Sequence, residues 1–236
     1  MISILMPLYN GIEFLQRSAR SVVAQTHKEW ELLIGLNGLS PRKIRKAHWE
    51  IIRLWDKRIT ICQSVEKGKV KTLNYLVKTA KYDRVCLLDV DDYWHHNKLE
   101  KQVPLMDNYD VVGTDTQYFG DKTGSPRLFL GKLSSLMFSY QNPIVNSAVM
   151  LNKQDANWDE AWEGLDDYNL WIHLLNRGKT FYNIPEVLVN HRIHNSSAYN
   201  HVNDEVSQQL RETLPKLSEE QHLEMRGIIE RKEWRL

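Results

Sequence analysis

The stretch Arg84-Val-Cys-Leu-Leu-Asp-Val-Asp-Asp-Tyr-Trp94 decides how the chain is read. Arg84 and the apolar residues 85–88 have the pattern of a short buried strand. Three carboxylates follow at once: Asp89, Asp91 and Asp92. Crowded like charges disfavour their own ionisation, and a divalent cation is the simplest remedy. Hard cations such as Mg²⁺ take oxygen ligands, typically one or two carboxylates plus substrate phosphates. The carboxyl end of a strand in an open α/β sheet is also where ligands bind. Asp-x-Asp at that place points to a metal that holds a diphosphate. For Asp92 alone, a polar turn or a helix N-cap is explanation enough.

Upstream of this stretch, strand and helix alternate. Residues 2–8 read as an apolar strand, broken by Pro7 and closed by Asn10-Gly11. Ile12, Leu15, Ala19, Val22 and Val23 then recur at helical spacing. Residues 30–34 are a second buried strand that ends in Gly35-Leu-Asn-Gly38. Residues 41–57 are charged, with Ile44, Ala47, Ile51 and Leu54 on one face, which predicts an amphipathic helix. Residues 59–62 form a third strand and residues 70–80 a third helix. The fourth strand runs into Asp89. This alternation predicts an α/β fold with a mostly parallel, doubly wound sheet.

Downstream the rhythm loosens. Residues 99–106 read as a short helix interrupted by Pro104, and 110–114 as a strand. Residues 119–132, with Gly120, Gly124, Pro126 and Gly131, read as a loop or hairpin. Residues 144–151 read as a strand, 166–176 as a helix ended by Gly178, and 184–190 as an edge strand. From residue 203 the chain is polar, with Leu210, Leu214, Leu217, Leu223, Met225 and Ile228 spaced for one or two packed helices. One domain over residues 1–200, with 201–236 as a helical extension packed on it, is the economical organisation.

Composition narrows the class. Of 236 residues, 42% are hydrophobic and 26% charged, as in soluble globular proteins. A formal net charge of +1 makes no strong electrostatic case for nucleic acid or an anionic membrane. Cys62 and Cys86 lie in apolar runs and read as reduced core residues. No apolar stretch approaches a membrane span. Met-Ile-Ser-Ile-Leu-Met-Pro7 lacks a basic leader and meets a proline too early for a signal peptide, so a cytoplasmic location is expected. The tail from residue 203 could pack on its own domain, form a dimer contact or lie peripherally against a membrane. Its mixed charge favours the first.

Five further clusters invite a chemical reading beside a plain one. Pro7-Leu-Tyr-Asn10 ends the first strand, where Tyr9 could stack on a base and Asn10 could cap the next helix. In Gly35-Leu-Asn-Gly38, Asn37 can offer its amide to a base or ribose, or simply make the tight turn that Asn-Gly favours. Glu66-Lys-Gly-Lys69 does not match the Gly-x-x-x-x-Gly-Lys-Ser/Thr phosphate loop. Lys67 and Lys69 read as solvated, with Lys71 at the helix start of more interest. Gly164-Leu-Asp-Asp-Tyr168 opens a helix, where one carboxylate is favoured by the macrodipole and a second suggests a general base. His191-Arg-Ile-His194 has a His-x-x-His spacing without the Cys or Glu partners of a zinc site. A metal contact by His194 or a phosphate contact by Arg192 suits it better, beside the plain reading of exposed loop polars.

Taken together, these stretches resemble family 2 of the nucleotide-sugar glycosyltransferases, which have the GT-A fold. The resemblance covers roughly residues 2–197 (weighed as ordered motifs, not single matches). Ser3-Ile-Leu-Met-Pro-Leu-Tyr-Asn10 is similar to the family's opening strand. Ser21-Val-Val-Ala-Gln-Thr26 followed by Trp30-Glu31 matches its Ser-x-x-x-Gln-Thr helix end and next strand. Gly68 and Leu73-Asn74 fall where the family has Gly and Leu-Asn or Arg-Asn. Leu88-Asp-Val-Asp-Asp92 is the Asp-x-Asp motif. Asp166-Asp-Tyr-Asn-Leu-Trp171 resembles Glu-Asp-Tyr-x-Leu-Trp, and His191-Arg-Ile-His-Asn-Ser-Ser197 resembles the closing Tyr-Arg-x-His element.

The resemblance implies a Rossmann-like GT-A domain and an inverting, metal-dependent glycosyltransferase. It would move a sugar from a nucleoside-diphosphate sugar, a UDP-sugar first, to a hydroxyl of a glycan or glycoconjugate. Asp91, with Asp89 and His194, would bind Mn²⁺ or Mg²⁺. Asp167 would be the base, and Asp166 stands where the family has Glu. Pro7, Tyr9, Asn10, Asn37, Lys71, Val90 and Arg192 would line the nucleotide-sugar site together with Asp89 and Asp91. Trp158, Trp162 and Tyr168 flank the proposed base, where Trp162 and Tyr168 could meet the acceptor sugar, beside the plain reading of core aromatics. The second-strand turn departs from the family, with Leu36-Asn-Gly-Leu39 where Asp-Asp-Gly-Ser is usual, and Leu73 replaces an Arg that some members use near the phosphates. Two other classes are a phosphatase using Asp89-Val-Asp91 as nucleophile and acid, and a non-catalytic sugar-binding or inactive transferase-like scaffold.

Overall fold

A computed structural model describes residues 1–63, 67–162, 164–194 and 218. Four parallel strands come first: β1 (Ile2–Leu8), β2 (Trp30–Leu36), β3 (Ile59–Gln63) and β4 (Arg84–Leu87). They lie side by side in the order β3-β2-β1-β4. Helices α1 (Ile12–Val23), α2 (Pro41–Ile52) and α3 (Lys69–Thr79) connect them. Strand faces alternate, so Ile2, Ile4, Met6 and Leu8 pack with Leu15 of α1 and Ala47 of α2 on one side. Leu5 and Leu33 pack with Leu73 and Leu76 of α3 on the other.

Pro7 does not break β1, which pairs with β2 as far as Leu8 opposite Leu36. Backbone groups alternate sides along a strand. The Leu5 carbonyl accepts the Leu88 N–H on the β4 side, so Pro7 faces that side too. β4 pairs no further than Leu87, and the missing N–H costs no ladder bond.

The second half adds β5 (Tyr93–Trp94), α4 (Lys98–Gln102), β6 (Val111–Gly120), β7 (Gly131–Leu133), α5 (Ser135–Tyr140), β8 (Met150–Asn152), α6 (Asp166–Asn176) and β9 (Phe181–Ile193). The full sheet is mixed, in the order β3-β2-β1-β4-β8-β6-β9-β5, with β7 also on β9. β8 is antiparallel to both β4 and β6, and β9 runs parallel to β6.

Several boundaries differ from expectation. The helix expected over 41–57 stops at Ile52, and Trp55 turns into the left-handed region at φ 52°. The run 144–151 is extended only from Met150, because Asn146–Ala148 makes a 3₁₀ turn. β9 is longer than the expected 184–190 and is not an edge, since β6 lies on one side and β5 and β7 pair with it as well. Its register shifts between Thr114↔Ile184 and Asp115↔Val187, leaving Pro185 and Glu186 in a bulge. A bulge is where a residue without an N–H is tolerated inside a sheet. The helices expected from residue 203, and Asn195, Ser196 and Ser197, lie outside the described residues.

The Ser21…Gln25-Thr26 element acts as a latch. Ser21 Oγ accepts the Trp94 N–H at 3.1 Å. The buried Gln25 donates to the His95 carbonyl at 2.7 Å and accepts the Leu99 N–H at 3.0 Å. Thr26 donates to Glu100 at 2.6 Å. These bonds hold the segment after Asp92 against the end of α1. Cys62 and Cys86 are free and buried. Among the described residues, no helix is long and apolar enough to cross a membrane.

Candidate active site

Asp89 leaves the end of β4. Its N–H donates to Ser147 Oγ at 3.0 Å, and Asn146 Nδ2 reaches its two carboxylate oxygens at 3.1 and 3.3 Å. Asn146 Oδ1 is buried without a hydrogen-bond partner. Asp91 Oδ2 lies 3.0 Å from His194 Nε2, just past β9. Burial, then Asp92 and Asp89, push the Asp91 carboxyl up, and the His194 bond opposes them. Asp92 is no cap. It is buried, accepts the Arg192 N–H at 2.8 Å and lies 2.9 Å from His191 Nδ1. Burial alone would keep His191 neutral, but Asp92, with Asp89 and Asp91 behind it, raises the imidazole to about 9. Asp92 therefore clamps β9 to the Asp-x-Asp turn, and so sets where His194 falls.

A second acidic group opens α6. Asp166 is buried, accepts the Gly164 N–H at 3.2 Å and lies 3.4 Å from Lys69 Nζ. Asp167 is half-buried and accepts from Asn142 Nδ2 at 3.2 Å. Burial raises its carboxyl to about 6, with Asp166 and Asp89 adding, while Lys69 and the Tyr168 N–H pull it down. For Lys69, burial disfavours the charge, but Asp89, Asp166 and Asp167 outweigh it and hold the ammonium above its ordinary range. One ammonium thus feels both acidic clusters across the end of the sheet.

The remaining expected residues divide. Pro7 is buried, Tyr9 is 55% exposed and Val90 packs against the start of α1 near Gly11. Asn10 does not cap α1; Gly11 does, at φ 81°, and Asn10 Oδ1 accepts from Lys43 at 3.5 Å. Asn37 is buried and accepts the Gly68 N–H at 2.9 Å, fastening the end of β2 to the start of α3. Lys71 points away from the acidic pair, with Nζ 3.8 Å from Glu160. The Arg192 guanidinium lies over Phe14 and Phe119 at 4.1 and 4.4 Å, and Nε donates to the Asp91 carbonyl at 3.3 Å. Aromatic faces rather than open solvent therefore receive its charge. Trp162 is partly buried against the core. Tyr168 is a core residue, 3% exposed, whose hydroxyl donates to the Phe138 carbonyl, so it offers an acceptor no ring face.

Lys69, expected to be solvated, instead meets Asp166, and Asn142, Asn146 and Ser147 were not singled out in the sequence. The available signal was the polar pair Asn146-Ser147 inside an otherwise apolar run, which a buried strand does not need. Among the described residues, no three or more His, Cys, Asp and Glu side chains already converge as a cation cage. The donor set nevertheless suits a hard cation: two carboxylates and an imidazole, with Asp91 destabilised by like charge and the Asn146 carbonyl oxygen unpaired beside Asp89. A cavity of about 450 Å³ is lined by Asn74, Asn157, Trp158, Asp159, Glu160 and His173, none of which belongs to either acidic cluster.

Comparison with known proteins identifies the family and the fold. Residues 3–158 match the family described as Glycosyl transferase family 2. The UDP-Glc:alpha-D-GlcNAc-diphosphoundecaprenol beta-1,3-glucosyltransferase WfaP of Escherichia coli is 27% identical over 209 residues, covering 84% of this chain and 79% of that protein. Among solved structures, TarS 1-349 of S. aureus in complex with UDP-GlcNAc superposes with a TM-score of 0.69 at 14% identity. The mannosyltransferase PcManGT of Pyrobaculum calidifontis, in complex with GDP-Man and Mn²⁺, gives 0.66 at 12%. The two cover 86% and 85% of this chain, which spans 61% and 59% of theirs. Both share its fold, a mixed α/β sheet of the GT-A type.

Proposed function

Because this chain belongs to glycosyl transferase family 2, we propose that it moves a sugar, with inversion, from a nucleoside-diphosphate sugar to a hydroxyl of a glycan or glycoconjugate. Residues 1–200 are the catalytic domain in this reading. The observation that carries it is Lys69, whose ammonium lies 3.4 Å from Asp166 of α6 and within electrostatic reach of Asp167 and of Asp89 in the Asp-x-Asp turn. A donor diphosphate at one cluster and an acceptor hydroxyl at the other would then meet in one cleft.

Asp167 is the base. Its carboxyl is raised to about 6, so it is ionised at neutral pH yet basic enough to accept a proton. Asp166 is buried against Lys69 and serves to hold that cation. The acceptor hydroxyl gives its proton to Asp167 as its oxygen bonds to the anomeric carbon. The bond from that carbon to the diphosphate oxygen breaks, and the nucleoside diphosphate leaves with the electron pair. Attack opposite the leaving group inverts the carbon. Asn142 keeps the Asp167 carboxylate oriented. Asp91, Asp89 and His194 would hold Mn²⁺ or Mg²⁺, which when bound offsets charge on the leaving diphosphate as a Lewis acid.

A UDP-sugar is the proposed donor, supported by UDP-Glc in the name of WfaP and UDP-GlcNAc bound to TarS. The acceptor is proposed to approach from the α6 side, where Trp162 lies. A thermal-shift panel of UDP, GDP and dTDP and their sugars, with and without Mn²⁺, tests the reading. Stabilisation by one nucleotide series, dependent on Mn²⁺ and lost in Asp91→Asn, is expected. Equal melting with every nucleotide, metal or not, would sink it.

A further inference from the structure

α2 carries an outward face that the rest of the described structure leaves uncovered. Ala47 and Ile51 are buried against the sheet and Ile44 is half-buried. At about 100° per residue, the opposite side of the helix holds Arg42, Arg45, Lys46, Trp49, Ile52 and Arg53, and all six are exposed. Trp49 is 65% exposed, Ile52 60% and Trp55, just past the helix end, 93%. The left-handed backbone at Trp55 carries the chain out of the helix at that point.

Charge is concentrated on the same segment. Residues 41–58 contain seven Lys or Arg against two Asp or Glu, in a chain whose total is only +1. One of the two acids, Asp56, is bonded to Arg58. The near-neutral total therefore hides a basic island, with Arg42, Lys43, Arg45 and Lys46 on α2 and Arg53, Lys57 and Arg58 just after it. Scattered exposed apolar residues are ordinary on a soluble surface. Trp49 and Ile52 on the helix and Trp55 just past it, ringed by arginine and lysine, are the pattern of a helix lying in a membrane interface. The rings enter the headgroup layer while the cations meet anionic headgroups.

We infer that α2 docks this domain, peripherally, on an anionic lipid bilayer. A second copy of the chain fits worse. A two-fold contact sets the same patch against itself, which would oppose Arg42, Arg45, Lys46 and Arg53 to their own kind. α2 packs on the sheet face opposite α3 and α6, so altering its outer surface leaves the acidic cleft intact.

Flotation of the full chain with phosphatidylcholine vesicles, with and without phosphatidylglycerol, tests this. Binding is expected only with phosphatidylglycerol and should weaken as salt rises. The double variants Trp49→Ser/Trp55→Ser and Arg45→Glu/Lys46→Glu should each reduce it by about tenfold or more, with unchanged melting temperature. No binding to either vesicle would overturn the inference, as would equal binding to both. So would full binding by the tryptophan variant, because the rings would then not enter the bilayer. A dimer in sizing runs that the tryptophan variant abolishes, without vesicle binding, would assign the patch to a second copy instead.

Discussion

Lys69 Nζ stands 3.4 Å from Asp166 Oδ2, and each residue is the first of its helix. The contact brings the N-termini of α3 and α6 to one edge of the sheet. A helix N-terminus favours negative charge and disfavours positive. Asp166 and Asp167 are at home there, whereas Lys69 is tolerable only because carboxylates surround it. Lys69→Met should raise the Asp167 carboxyl further, since its main opposing charge is gone. The acid limb of the pH–rate profile should move up by about one unit, and Lys69→Arg should restore much of it. An unmoved limb in Lys69→Met would remove this role.

Asp167→Asn should lower the transfer rate by about 10²–10⁴-fold, the usual worth of a positioned base. It should also change stability with a definite sign. The folded-state value, about 6, lies above that of an unfolded Asp. The fold therefore loses stability from this group as pH rises through about 4 to 6. The Asn variant should gain melting temperature relative to the parent at about pH 8 and little at about pH 4. Thermal melts at the two values check it.

Asp92→Ala should be the most destabilising change among the acids. It strips a half-buried imidazolium of its buried partner and the Arg192 N–H of its acceptor. Breaking a buried pair from one side costs about 3–5 kcal/mol, readable in urea unfolding. Because the same clamp places His194, Mn²⁺-dependent nucleotide binding should weaken in whatever fraction remains folded.

Lys98 predicts an alkaline effect. It is wholly buried, donates to Gln102 Oε1 at 2.7 Å and lies 4.0 Å from the Trp94 ring centroid. Burial lowers its ammonium to about 8, while the unfolded chain holds that proton to a higher pH. Between about pH 8 and 10 the unfolded state binds more protons, so stability contributed by this group rises with pH. Lys98→Met should flatten that rise in urea melts.

The parallel half was legible because its signals are local. Apolar runs of the right length end in Asn10-Gly11 and Gly35-Leu-Asn-Gly38, and the helices between them keep their period. Elsewhere the deciding partner is remote. Asp92 reads as a turn residue until His191, 99 positions away, is set against it. Lys69 is one of three alternate lysines at 67, 69 and 71, and nothing in their order distinguishes them. Starting α3 at Lys69 turns that side chain toward Asp166 and sends Lys71 toward Glu160. The run 144–151 is apolar because tertiary packing buries it, not because it is extended. Motif position alone points to Asp167 as the base, and only the structure shows Asp166 buried against Lys69 while Asp167 is half-buried.

The bulge at Pro185 and Glu186 also divides β9 into a forgiving stretch and an unforgiving one. An added residue at the bulge only enlarges a loop that is already out of register. A second shift follows at Leu188, and a residue added or deleted after Val189 turns every later side chain to the opposite face, parting His191 from Asp92 and His194 from Asp91 together. Natural length variation in this strand should therefore accumulate at or before residue 186, and loop grafts or tag insertions belong there as well.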